Sequence, residues 1–125
     1  GLAVADVTAA ECHGTGTSLG DPIELGALTG VLGGRKSIMY FTTSKINIGH
    51  SEAHAGMAGI AKCILMVQTQ AVPPHNHLSK LSSNLDLEGF PGLVNTELAD
   101  PGRNSQIVGV SSFGFGGSNA RADFW

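Results

Sequence analysis

The sequence predicts an α/β fold, with helices packed against a sheet. Three observations carry this expectation. Short β-branched or aromatic runs alternate with longer apolar stretches of helical length. Glycine- and threonine-rich loops follow the strand-like runs. The chain has 125 residues, 42% apolar and 14% charged, which suits one small hydrophobic core and not a disordered segment.

Each element has a local reason. Ala3 to Cys12 reads as a short helical end followed by a buried strand, although periodicity alone does not separate the two. His13 to Asp21 (HGTGTSLGD) is a loop. Asp21 suits a helix cap with Pro22 at the first helical position, and that helix should run to about Leu32 and stop at Gly33-Gly34. Ile38 to Thr43 is a strand, and Ser44 to Ser51 a second polar loop. A long helix is expected from about Glu52 to Gln70. It is apolar on nearly every side, so burial on several faces follows, and its small residues would let other backbones come close. Pro73-Pro74 ends it. Residues His75 to about Arg103 are loop-like, with a short strand expected near Leu93 to Glu97. Gln106 to Ser112 is a strand, Gly114 to Gly117 a turn, and Ala120 to Trp125 a final strand.

Composition narrows the function. Net charge is −3, and Arg35-Lys36 is the only adjacent basic pair, so a nucleic-acid surface is not expected. No apolar run approaches the roughly 18 residues of a membrane span. Low charge together with 18 glycines suggests a segment that packs against other protein. The chain opens at Gly1 without methionine and reads as an excised segment, so the compartment stays open, with cytoplasm and plastid both compatible. Two cysteines are too few for a disulfide framework.

Three polar loops each follow an expected strand. They carry His13, then Lys45 with His50, then Phe115 among glycines. Reactive groups concentrate in loops held by rigid elements, often at one end of the strands. Two histidines delivered this way are candidates for acid–base or hydrogen-bonding work, although a single histidine more often just caps a loop.

These loops carry a resemblance. His13-Gly14-Thr15-Gly16-Thr17, with Gly20-Asp21-Pro22 and Glu24 behind it, is similar to the HGTGT segment of ketosynthases. Lys45-Ile46-Asn47-Ile48-Gly49-His50 resembles their K-x-N-x-G-H segment, and Ser112 to Ala120 their closing SFGFGG-[ST]-N-A turn. Order and spacing match over about Asp6 to Asn119, most closely the ketosynthases of modular polyketide synthases. The resemblance implies the C-terminal part of a thiolase-like layered fold spanning residues 1–125, an incomplete domain that usually forms a homodimer.

The implied reaction is a decarboxylative Claisen condensation in polyketide or fatty-acid synthesis. An acyl group on a cysteine thiolate meets a malonyl unit carried on the phosphopantetheine of an acyl carrier protein. No bound cofactor or metal is implied. His13 and His50 match the residues that hold the enolate oxygen through neutral N–H groups, and the helix after His50 should keep its ring uncharged. Lys45 and Glu24 match an ordering pair. The Phe115 N–H matches half of the oxyanion hole, and its ring a gate on the acyl pocket. Thr15 and Thr17 match hydroxyls that bond the phosphopantetheine arm. Gly116, Gly117 and Asn119 complete the substrate-binding turn.

Departures and rivals remain. The family's nucleophile lies in an A-C-S-S-like turn upstream of HGTGT, and neither cysteine here has that setting. Cys12 should point away from His13, Cys63 should be an inert core thiol, and the chain alone should be inactive. Arg121 stands where histidine is common, and His75-Asn76-His77 is unusual; both are expected to bear on substrates or partners. One alternative is a non-catalytic or decarboxylase-only homologue. Another is a metal site on His50, His54, His75 and His77, but the spacing is not H-E-x-x-H. Gly114 to Gly117 lacks the sixth-place glycine of a dinucleotide loop, and Gly14 to Gly20 lacks a phosphate-loop lysine.

Overall fold

A computed structural model of the chain describes residues 3–102 and 106–125. A 3-10 turn at Val4–Asp6 leads into β1 (Val7–Glu11), followed by α1 (Gly20–Val31), β2 (Met39–Thr42) and α2 (Lys45–Ile48). A second 3-10 turn at Glu52–His54 opens α3 (Ala55–Thr69). Then come β3 (Gly92–Leu93), β4 (Ile107–Phe113) and β5 (Asn119–Phe124).

The five strands form one sheet in the order β3-β2-β1-β4-β5. β3, β2, β1 and β4 run parallel, and β5 returns antiparallel beside β4. Side chains alternate across the sheet, as period-2 geometry requires. Ala9, Tyr40, Val108 and Val110 pack with Cys63 and Met66 of α3 on one face. Ala10, Met39 and Phe41 pack with Leu25 of α1 and with Leu32, the residue that caps its end, on the other. This is the layered α/β arrangement the sequence predicts.

Small residues seat α3 on the sheet. An added Cβ at Gly59 would lie 2.8 Å from Val110 Cγ2, and one at Gly56 3.1 Å from Ser112 Oγ. The close backbone approach read from the sequence is therefore present.

Several expectations are corrected. Burial of α3 is confined to one face, through Ala55, Gly59, Cys63 and Met66, while Met57, Ile64 and Leu65 are exposed, because the sheet is the one layer that covers the helix. α3 stops at Thr69, before the prolines, on Gln70 in a left-handed conformation (φ 54°). Asp21 lies inside α1, and Leu19 occupies the cap position. The Ser44–Ser51 loop contains the one-turn helix α2, too short for periodicity to reveal. The strand expected near Leu93 to Glu97 is the two-residue β3, one position earlier. Arg103, the expected end of the long loop, lies outside the described residues.

Candidate active site

The topology gathers the three polar loops. β2, β1 and β4 are neighbours and parallel, so their C-terminal ends share one edge of the sheet. The HGTGT loop leaves β1, the Lys45 segment leaves β2, and the Phe115 turn leaves β4. Ligands bind at such an edge in open α/β sheets.

Two carboxylates on the first turns of α1 hold the HGTGT loop. Glu24, buried, accepts the N–H of His13 at 2.8 Å and of Gly14 at 3.0 Å. Asp21 accepts the Gly16 N–H at 3.1 and 3.0 Å through its two oxygens. Residues three apart share a helix face, which is why the loop is followed by D-P-x-E. Burial pushes the Glu24 carboxyl up from its usual range, against the two backbone N–H bonds, which favour the anion. Gly14 adopts φ +46°, and a Cβ there would press on the Thr43 side chain at 3.1 Å.

His13 and His50 face each other, with ring centroids 5.8 Å apart at 90°. His13 also packs against Phe113, with ring centroids 5.4 Å apart at a tilt of 49°. Each ring has its Nδ1 occupied by a backbone donor. The Phe113 N–H donates to His13 Nδ1 at 3.3 Å, and the Glu52 N–H donates to His50 Nδ1 at 3.2 Å. An Nδ1 that accepts leaves the proton of a neutral ring on Nε2. Burial holds the His13 imidazole below its ordinary value, aided by Lys45 and His50. His50 is exposed and reaches α3 only through the 3-10 turn at Glu52–His54, so it does not sit directly on the helix end as expected. Glu52 adopts φ 49°, unusual for a residue with a side chain, and its N–H is the one aimed at His50. Gly49 ends α2 at φ 77°.

Lys45 is half-buried, and its ammonium is pulled down by burial while Glu11 and Glu24 raise it. The direct Lys45–Glu24 pair expected from the sequence is absent among the described residues, because Glu24 is committed to the loop backbone. The β4–β5 turn closes through Gly114 N–H to Ser118 C=O at 2.7 Å, with Gly117 at φ +93°. Phe115 is fully exposed at its tip, together with Gly116, Gly117 and Asn119. No described group takes the Phe115 N–H. Thr17 Oγ1 accepts the Gly20 N–H at 3.1 Å, while the half-buried Thr15 hydroxyl has no bond to a described residue.

Neither cysteine is set as a nucleophile. Burial raises the Cys12 thiol well above its usual value, with Glu24 and Glu11 adding to it, and raises Cys63 to about 12. Cys12 lines a cleft of about 290 Å³ with Leu25 and Phe41. His75 is buried, with Nδ1 3.3 Å from the Asn95 carbonyl, and lines the same cleft as Cys12. Arg121 pairs with Asp123 at 2.8 Å and donates to Ser111 Oγ. Among the described residues no three His, Cys, Asp or Glu side chains gather where a metal could sit, and no helix is long and apolar enough to cross a membrane.

The sequence reading missed Phe113, Asp21 as a loop holder, and a buried ion pair between Glu11 and Lys62. The signal for the pair was present: each is a lone charge in an apolar segment, and buried charges are paired.

The profile described as beta-ketoacyl synthase, C-terminal domain, matches residues 1–79, which hold both histidine loops. The chain belongs to the β-ketoacyl synthase family. It is 42% identical over 123 residues to the highly reducing polyketide synthase azaB of Aspergillus niger, covering 94% of this chain and 5% of that protein. It is also 42% identical over 123 residues to the erythronolide synthase EryA2 of Saccharopolyspora erythraea, covering 96% and 3%. Among solved structures, the oxazolomycin ketosynthase domain OzmH KS7 of Streptomyces albus JA3453 matches with a TM-score of 0.88 and 38% identity, over 98% of this chain and 22% of that one. The ketosynthase from module 6 of the bacillaene synthase of Bacillus subtilis 168 matches with a TM-score of 0.87 and 35% identity, over 96% and 22%. The ketosynthase segment thus spans about a fifth of the solved chains it matches, and its fold is the C-terminal part of the thiolase-like one.

Proposed function

We propose that this ketosynthase segment supplies the enolate-binding half of a condensing active site. The observation that carries the reading is the pair of facing imidazoles, each with Nδ1 occupied and Nε2–H free to donate. When a malonyl thioester loses carbon dioxide, the bond to the carboxyl carbon breaks and its electron pair enters the enolate. Negative charge gathers on the thioester oxygen. Two fixed neutral donors stabilise that oxygen without reorganising. The enolate carbon then attacks the acyl thioester, a carbon–carbon bond forms, and the cysteine thiolate leaves.

The remaining roles follow from position. Glu24 anchors the backbone of His13, and Lys45 adds a positive field near the rings. The unpartnered Phe115 N–H suits half of an oxyanion hole, with Gly116 and Gly117 allowing close approach and Asn119 bounding the turn. Thr15 and Thr17 bind the phosphopantetheine arm of an acyl carrier protein. The exposed ring of Phe115 becomes a gate once the rest of the domain surrounds it. The raised thiols of Cys12 and Cys63 support a nucleophile supplied from outside these residues, so the segment alone does not condense acyl groups. A homodimer of the complete domain is part of the same reading.

The test is a condensation assay on the complete domain. An acyl thioester and a malonyl-loaded acyl carrier protein should yield a β-ketoacyl product, detected by mass spectrometry on the carrier. A complete domain that is acylated and releases no β-ketoacyl product contradicts the reading.

A further inference from the structure

Glu11 forms an ion pair with the largely buried Lys62 that the enolate chemistry does not use. Glu11 closes β1 two positions before His13, and its side chain is 1% exposed. Its Oε2 lies 3.0 Å from Lys62 Nζ, and no other described group bonds that oxygen. Its Oε1 accepts the N–H of Ser44, the residue from which α2 starts. Lys62 also donates to Thr42 Oγ1, and Thr42 is the register partner of Glu11 on β2. Lys62 itself belongs to α3, the helix entered through His50 and the 3-10 turn. Gly59, one turn earlier on α3, makes room for the carboxylate: an added Cβ would approach Glu11 Cγ at 3.3 Å.

One carboxylate therefore ties together the strand that delivers His13, the start of the segment that delivers His50, and the helix that follows His50. Burying the Glu11 carboxylate against a mostly covered ammonium is costly, and apolar residues of similar volume often fold as well or better. A charged pair at this place gives directional bonds that an apolar pair does not. We propose that Glu11 and Lys62 are positioning residues that fix the spacing and orientation of His13 and His50. This inference rests on the enolate-binding reading above. Neither side chain touches substrate; each acts through the loops it holds.

The complete domain tests this with two readouts on the same variants: acylation of the nucleophile, and decarboxylation of a malonyl thioester. Lys62→Met keeps the packing volume and removes the charge; Glu11→Gln keeps an acceptor for Ser44. Each is expected to lower kcat for decarboxylation by about 10-fold or more, since small misplacement of reacting groups is costly. KM and the acylation rate should stay unchanged, and Lys62→Arg should restore kcat to within about 3-fold by returning a charged donor. A fall in acylation and decarboxylation together, or an unchanged kcat in both neutral variants, overturns the proposal. His13→Ala and His50→Ala run beside them separate the two levels. If these keep decarboxylation, the enolate reading fails; if they lose it while Lys62→Met and Glu11→Gln keep it, the positioning proposal alone fails.

Discussion

At the residue scale, the site works through backbone donors that bond the Nδ1 atom of each histidine. The Phe113 N–H needs an acceptor at His13 Nδ1, and that need selects the Nε2–H tautomer. Protonation of His13 would place a second proton on Nδ1 and break this bond. Burial, Lys45 and His50 all disfavour that protonation. The neutral ring should thus persist to below pH 6.5, its ordinary value. The decarboxylation rate of the complete domain should hold as pH falls through 6.5 and drop only below it; an acid limb centred at or above that value contradicts the assignment. The same depression has a stability consequence. The unfolded chain takes up a proton near 6.5 and folded His13 does not, so stability present above 6.5 is lost as pH falls from there towards the lowered value. His75, also lowered by burial, adds with the same sign. Glu24 makes a separate prediction. Glu24→Ala strips the half-buried His13 and Gly14 N–H groups of their acceptor, and a total loss of about 1–3 kcal/mol in denaturant unfolding is expected.

At the element scale, the fold depends on how closely α3 approaches β4. Gly59→Ala drives a Cβ to 2.8 Å from Val110 Cγ2, and a β-branched side chain yields little. A cost of about 1–3 kcal/mol is expected, with a smaller one for Gly56→Ala, whose neighbour is the terminal hydroxyl of Ser112 at 3.1 Å. Equal unfolding midpoints for both variants and the parent would contradict this packing. The same elements mark what was legible in sequence. β2 and β4 carry β-branched and aromatic runs bounded by turn residues, so their residues declare them. α1 was legible from Pro22 and Gly33-Gly34, yet its cap was not, because the Asp21 side chain bonds Gly16 across the loop instead. α2 is four residues long and leaves no period to read. The three site loops were legible as motifs. Their convergence was implied by the resemblance alone, since it depends on β1 lying between β2 and β4, and strand order is not written in any local pattern. The Lys45–Glu24 pair failed for a related reason: two opposite charges near one site suggest a bond, but backbone N–H groups had the prior claim on Glu24.

At the scale of the whole molecule, the layered core is lopsided. α3 lies close on one face of the sheet, while the α1 side bears open clefts of about 290 and 320 Å³. The second is lined by Glu24, Phe113, Asn119 and Arg121, beside the histidine site. Leu19, Val31, Met57, Leu65, Phe115 and Trp125 are largely exposed. Apolar surface of this kind fits a segment that completes a larger domain, as its share of the solved ketosynthases indicates.

The central claim is that His13 and His50 together hold the enolate oxygen. The most direct measurement is carbon dioxide release from a malonyl thioester by the complete domain with its nucleophile blocked, which isolates the enolate step. His13→Ala and His50→Ala should each lower that rate by about 10²–10³, the usual effect of losing one oxyanion donor. Rates in both variants equal to the parent would contradict the account.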